Sequence, residues 1–147
     1  MTIPPFQEGG NLPPGIHEAT WEEIAARFGS SAWRRELLAG LREALENLRE
    51  AGCARAYIDG SFVGAKETPG DFDACWESAG VDPELLDPVL LTFANARAAQ
   101  KERFRGELFP VEARAEPHGT RFLDYFRRDR LTGEPKGIIA LNLEGLP

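Results

Sequence analysis

At 147 residues, with 42% hydrophobic and 28% charged residues, the chain has the balance of one folded globular domain rather than a disordered segment. No apolar run approaches the roughly 20 residues needed to cross a bilayer, and the N-terminus lacks the basic start and apolar stretch of a secretory signal, so a cytoplasmic protein without a membrane partner is expected. The net charge of −7 argues against strong general binding to nucleic acid.

Residues 1–15, rich in Pro and Gly, predict an irregular N-terminal arm that lies across the domain or stays mobile, ahead of a single domain over 16–147. Thr20-Trp21-Glu22-Glu23 reads as a capping box opening a short helix to Phe28, ended by Gly29. Ser30 or Ser31 caps a long helix to about Glu50. Its Trp33, Leu37, Leu41, Ala44, Leu45 and Leu48 recur at three- and four-residue spacing and predict one buried stripe, and Gly52 stops it. Alternating character over 54–58 predicts a strand closed by Asp59-Gly60-Ser61. A loop with Lys66, Pro69 and Gly70 leads to a second strand at about 71–77. Asp82-Pro83 reads as the cap and first position of a helix that runs, with an interruption near Pro88, to about Phe104. A third strand is expected at 108–115, then a short helix capped by Thr120 that carries Phe122, Leu123, Tyr125 and Phe126. A turn at Thr132-Gly133 leads to a last strand at 137–143. This interleaving predicts an α+β fold, an α/β sandwich in which helices pack against a small mixed β-sheet.

Cys53 and Cys75, 22 residues apart, and the distant His17 and His118 form no zinc spacing, so two reduced thiols are expected. Charge is unevenly spread. Residues 61–93 hold seven acids against Lys66 alone, whereas ten basic residues face eight acids from Ala94 onward. Solvated helix faces account for such asymmetry; an acidic metal site facing a basic strip is the functional account.

Chemistry concentrates in Asp59-Gly60-Ser61 and Asp71-Phe72-Asp73. Strand side chains alternate, so Asp71 and Asp73 project to one face with Cα atoms roughly 7 Å apart, and Phe72 projects to the other. Two like charges so placed are best tolerated with a cation between them, and hard oxygen donors in an incomplete set suit Mg²⁺. An exposed acidic strand edge would be the better account of the pair if it stood alone. Glycine at a strand end lets a phosphate approach the backbone amides, and the Ser61 hydroxyl adds a donor. A plain turn is the blander account.

A strand ending in Gly60-Ser61, nine intervening residues, and then Asp71-Phe72-Asp73 opening a second strand resembles the signature of the nucleotidyltransferase fold, the superfamily of DNA polymerase β and the kanamycin nucleotidyltransferases. Leu12-Pro13-Pro14-Gly15-Ile16-His17, Asp59-Gly60-Ser61-Phe62-Val63, Phe109-Pro110-Val111-Glu112 and Lys136-Gly137-Ile138 are similar to a bacterial family of short, largely uncharacterised proteins of this fold. The resemblance implies that Asp71 and Asp73 hold Mg²⁺, with a third carboxylate from a neighbouring strand. Glu112 is the best candidate and Glu116 the runner-up, serving both as metal ligand and as base toward the attacking hydroxyl. It further implies that Gly60 and Ser61 hold the phosphates of a nucleoside triphosphate, with Lys66 in reach. Arg121, Arg127, Arg128, Arg130 and Lys136 are candidates for contacts to triphosphate or acceptor. Small bacterial proteins of this fold include toxin–antitoxin members that transfer nucleotides to a protein or to tRNA, and the same class is expected here by analogy. A catalytically degenerate binding or antitoxin module, and a regulatory partner protein with an incidental acidic pair, are the competing expectations.

Overall fold

Thr20 caps the first helix, α1 (Trp21–Phe28), with the expected reciprocal box: its hydroxyl accepts from Glu23 N at 3.2 Å, and Glu23 Oε1 accepts from Thr20 N at 2.8 Å. Ser31 caps α2 (Ala32–Glu50), whose Leu37, Leu41, Ala44, Leu45 and Leu48 are fully buried. The chain leaves α2 through Gly52 at φ 102°, a left-handed turn that favours glycine. This computed structural model describes residues 3–113, 120–129 and 131–147.

Five strands form one mixed sheet: β1 (Gly15–Glu18), β2 (Arg55–Asp59), β3 (Phe72–Trp76), β4 (Gly106–Pro110) and β5 (Gly137–Asn142), in the order β1-β5-β2-β3-β4. β2 lies antiparallel to both β5 and β3, while β1 runs parallel to β5 and β4 parallel to β3. Alternation splits the sheet into two faces. Ala56, Ile58, Ala74, Trp76, Leu108, Ile139 and Leu141 join the main core with the buried residues of α1, α2 and α3 (Ala94–Phe104). Tyr57, Cys75, Phe109, Ile138 and Ala140 face the other way, into a smaller cluster with Phe126 and the short α4 (Phe122–Tyr125). One face is therefore thickly covered and the other thinly. The α+β expectation holds at that level, with four α-helices and five strands among the described residues. No helix among them is long and apolar enough to cross a membrane.

Helix α2 crosses the end of α3 at Gly40. A Cβ there would stand 1.8 Å from the Phe104 carbonyl oxygen, and backbone cannot yield as a side chain can. Gly40→Ala is expected to cost about 3 kcal/mol despite alanine's better helix propensity. Chemical denaturation measures this cost.

Three expectations need correction. β1 falls where no strand is predicted, recruited by pairing with β5; the arm before it is pinned, with Leu12 buried and the Phe6 ring 6.3 Å from that of Phe28. In place of one interrupted helix after Asp82, two 3₁₀ turns (Pro83–Leu85 and Pro88–Leu91) precede α3, each capped by an aspartate. α3 itself begins with three left-handed residues, Asn95, Ala96 and Arg97, at φ 54°, 55° and 60°. Each such non-glycine residue costs roughly 1–2 kcal/mol, and the run Ala94-Asn95-Ala96-Arg97-Ala98-Ala99 favours a right-handed helix, so tertiary contacts impose this turn. The strand expected at 108–115 runs from Gly106 to Pro110 instead. Residues 114–119, including Glu116 and His118, lie outside the described residues, as does Arg130.

Candidate functional site

The register of three adjacent strands decides where the acids meet. Asp59 on β2 pairs with Asp73 on β3, and Asp73 pairs with Glu107 on β4. Neighbouring strands lie roughly 5 Å apart, so three carboxylates stand in a row across the thinly covered face of the sheet. Asp71, two residues before Asp73, adds a fourth charge that acts on Asp73. Like charges directly opposite one another destabilise a sheet, so chemistry or compensation is required at this end.

Protonation provides one form of compensation. Asp73 is hydrogen-bonded to Glu107, a contact that needs a proton on one of the two acids. Burial, the bond to Glu107, and the charges of Asp71, Glu107 and Asp59 push Asp73 up to about 8. Burial pushes Glu107 upward as well, but the Asp73 proton, Arg97 and Lys101 outweigh it and hold Glu107 below the usual carboxylate range. Asp71 is raised by burial and by Glu107, with Lys101 and Lys66 opposing. Asp59 is only 2% exposed, and Lys136 Nζ lies 3.6 Å from its Oδ1.

Local structure explains how the loop between β2 and β3 reaches these acids. Gly60 sits at φ 81°, ψ −173°, a conformation open essentially to glycine alone, and starts a 3₁₀ turn over Ser61–Val63. A Cβ on Gly60 would stand 2.3 Å from Asp73 Oδ2, so the missing side chain also makes room for the carboxylate. The start of α2 holds both ends of the loop. Arg34, 4% exposed, donates to the carbonyls of Phe62 at 2.7 Å, Gly64 at 3.0 Å and Lys66 at 2.5 Å. Trp33 Nε1 donates to Pro69 O at 2.6 Å, just before Asp71. Sequence periodicity marks Trp33 as core, but its indole is also a strut of the site.

Asp59, Gly60, Ser61 and Asp73 form one wall of a cleft of about 300 Å³. Tyr125, Phe126, Arg128 and Lys136 also line it, with Asn11 and Asp129, to which the Asn11 amide donates at 2.8 Å. Ser61 also borders a second hollow that leads past Gly10 and Gly64 to Lys66. The N-terminal arm is thus part of the site: Gly10 O accepts from Ala65 N at 2.9 Å.

The structure gathers Gly60, Ser61, Asp71 and Asp73 at one end of the sheet. Glu112 is a correction: it is exposed, past the end of β4, and accepts a hydrogen bond from Ser78 Oγ near the opposite end of β3. Glu107, not Glu112, is the acid that stands beside Asp73 on the neighbouring strand. Sequence reasoning missed it because β4 starts two residues earlier than the apolar run suggests, directly after left-handed Arg105 at φ 69°. Asp59 was legible only as a strand end; the signal lay in its position two residues after Tyr57 on the same face. Arg128 and Lys136 line the cleft, whereas Arg121 precedes α4 and Arg127 borders a separate hollow beside Asp124. Cys53 and Cys75 are buried free thiols, and burial pushes both upward, so neither is a nucleophile or ligand as placed.

Among the described residues no group of three or more His, Cys, Asp or Glu stands close enough together to hold a metal ion. The chemistry of the donors nevertheless suits a hard divalent cation. Two carboxyl groups already touch through a proton, a third sits two residues away, and all donors are oxygen.

No curated protein and no solved structure matches the chain. A family defined from sequence does match, over residues 4–142, and its extent takes in the arm, every strand and all four carboxylates. The chain belongs to that family, DUF6932, a family of unknown function.

Proposed function

We propose that the chain is a Mg²⁺-dependent nucleotidyltransferase that moves a nucleoside monophosphate from a nucleoside triphosphate to a hydroxyl acceptor. The observation that carries this reading is the row Asp59–Asp73–Glu107 across three strands, with Asp71 beside it and the Gly60-Ser61 turn against Asp73. A five-stranded mixed sheet with its main helices on one face and these acids on the other supports the resemblance to the nucleotidyltransferase fold.

Asp71, Asp73 and Glu107 would hold the metal. When bound there, Mg²⁺ supplies charge neutralisation for the triphosphate and the attacking hydroxyl. Ser61 and the backbone after Gly60 offer donors to the phosphates at the cleft wall, and Lys136 and Arg128 supply positive charge in the same cleft. The acceptor oxygen would bond to the α-phosphorus as the bond to pyrophosphate breaks, with Glu107 taking the hydroxyl proton. The cleft is large enough for part of a nucleotide, not for a folded acceptor, so a protein or tRNA acceptor would present its hydroxyl from outside.

The competing reading is a binding or antitoxin module on the same fold. It draws support from Glu107 being engaged by Arg97 and Lys101 rather than free for a ligand. Release of pyrophosphate from labelled triphosphate, with tRNA and protein acceptors supplied, distinguishes the two. The transferase reading expects Mg²⁺-dependent turnover that falls at least about 100-fold in Asp71→Ala, Asp73→Ala and Glu107→Gln. Absence of turnover with every nucleotide and acceptor, alongside retained nucleotide binding, supports the module instead.

A further inference from the structure

Helix α3 sorts its positive charges to two sides. Arg97 Nη2 and Lys101 Nζ both reach Glu107 Oε1, at 2.8 Å and 3.4 Å, and Arg105 follows at the same four-residue spacing. Arg103 leaves by the other side, toward Asp87 and Glu43. The first three form a strip with positive charge to spare. Its acids are Glu107 and Asp71, and Lys66 also acts on Asp71. Arg105 is exposed and makes no ion pair among the described residues, while the Arg97 and Lys101 side chains are 32% and 42% exposed.

Aromatic rings bound the strip at both ends. Phe93, 39% exposed, stands just before α3 and lies within 10° of parallel to Phe109, with ring centres 6.2 Å apart. The Arg97 guanidinium sits 5.5 Å from the centre of the Phe109 ring. At the far end the Arg105 guanidinium is 5.9 Å from the centre of the half-buried Trp33 ring. Cations at intervals of about 6 Å match successive phosphates of one strand, and an exposed flat ring gives a base somewhere to stack. An acidic protein segment would use the charges but has no need of the ring.

We infer that the α3 strip from Phe93 to Arg105 is a docking surface for a short single strand of nucleic acid, which it lays toward the acid row from the Glu107 side. Strand order puts this side at β4, whereas the cleft holding Lys136 lies on the Asp59 side. That the strand's end is the hydroxyl acceptor rests on the proposed transfer; the binding itself does not. With a net charge of −7 on the whole chain, attraction is confined to the strip, so binding is local and salt-sensitive.

Fluorescence anisotropy of a labelled short oligouridylate, in EDTA over a series of salt concentrations, tests the surface. Three phosphate contacts predict a slope of log affinity against log salt of about −2. Lys101→Gln and Arg105→Gln should each take about 0.7 off that slope, and Phe93→Ala should weaken binding about tenfold with the slope unchanged. Arg103→Gln, on the other side of α3, should bind as the unaltered protein does. A duplex should bind more weakly than either of its strands, because its bases are not open to stacking. No binding at low salt, or equal binding by the unaltered protein, Phe93→Ala, Lys101→Gln and Arg105→Gln, overturns the surface. Polyglutamate binding as tight as that of the oligouridylate assigns the strip to an acidic protein partner and overturns it as well. Oligonucleotide binding without pyrophosphate release under any condition supports the surface and counts against the transferase; pyrophosphate release without oligonucleotide binding does the reverse.

Discussion

Asp73→Asn is expected to make the protein more stable at pH 8 by up to roughly 5 kcal/mol, and to leave stability near pH 4 unchanged. Asp73 is held to about 8 in the folded protein by burial, by its bond to Glu107 and by the charges of Asp71, Glu107 and Asp59, against an ordinary value of 3.8. The folded state therefore binds this proton more tightly than the unfolded state. The stability it contributes is complete below the unfolded value and is lost as pH rises through the folded one, from about 4 to about 8. Asparagine is neutral throughout and can donate its amide to Glu107, so it mimics the protonated acid without the loss. The unaltered protein should show a falling stability limb over this window that Asp73→Asn lacks, read from urea denaturation at a series of pH values. The same substitution should abolish any effect of Mg²⁺ on stability. A residue whose removal stabilises the fold while eliminating ligand response is retained for what it binds.

Gly60→Ala carries the second large expected effect. Alanine is strained at φ 81°, ψ −173°, and its Cβ would fall 2.3 Å from Asp73 Oδ2. The backbone term alone is worth about 1–3 kcal/mol, and Asp73 can escape only by turning away from Glu107 or from the cleft. We expect a loss of about 3 kcal/mol in chemical denaturation, with nucleotide and metal response lost at temperatures where the variant is still folded. Gly70→Ala is the control. An added Cβ there meets nothing within 4 Å, and the change should stay within about 0.5 kcal/mol.

Local signals made the helical layer and half of the site legible. The Thr20 box, the Ser31 cap and the leucine spacing of α2 each act within a turn or two of chain, and their spans hold to within a residue or two. Asp71, Asp73 and Gly60-Ser61 were visible for the same reason, since period-two alternation and glycine's freedom are properties of short segments. Glu107 was not, because its place beside Asp73 is set by the parallel register of β3 and β4, which no short window contains. The same holds for Lys136 with Asp59, which meet only after β5 docks against β2. The start of α3 misled in the opposite sense. Its alanine-rich sequence argues for a right-handed helix, and the ion pair to Glu107 accompanies a left-handed turn instead. Two of the conflicts between local preference and final structure, at Arg97 and at Glu107, thus meet beside Asp73.

Anomalous diffraction from crystals soaked in Mn²⁺ with a non-hydrolysable nucleoside triphosphate tests the site most directly. An anomalous peak within coordination distance of Asp71, Asp73 and Glu107, with phosphate density against the Gly60-Ser61 turn, is the predicted result. Nucleotide bound elsewhere, or bound at this end of the sheet with no metal signal between those acids, would contradict it.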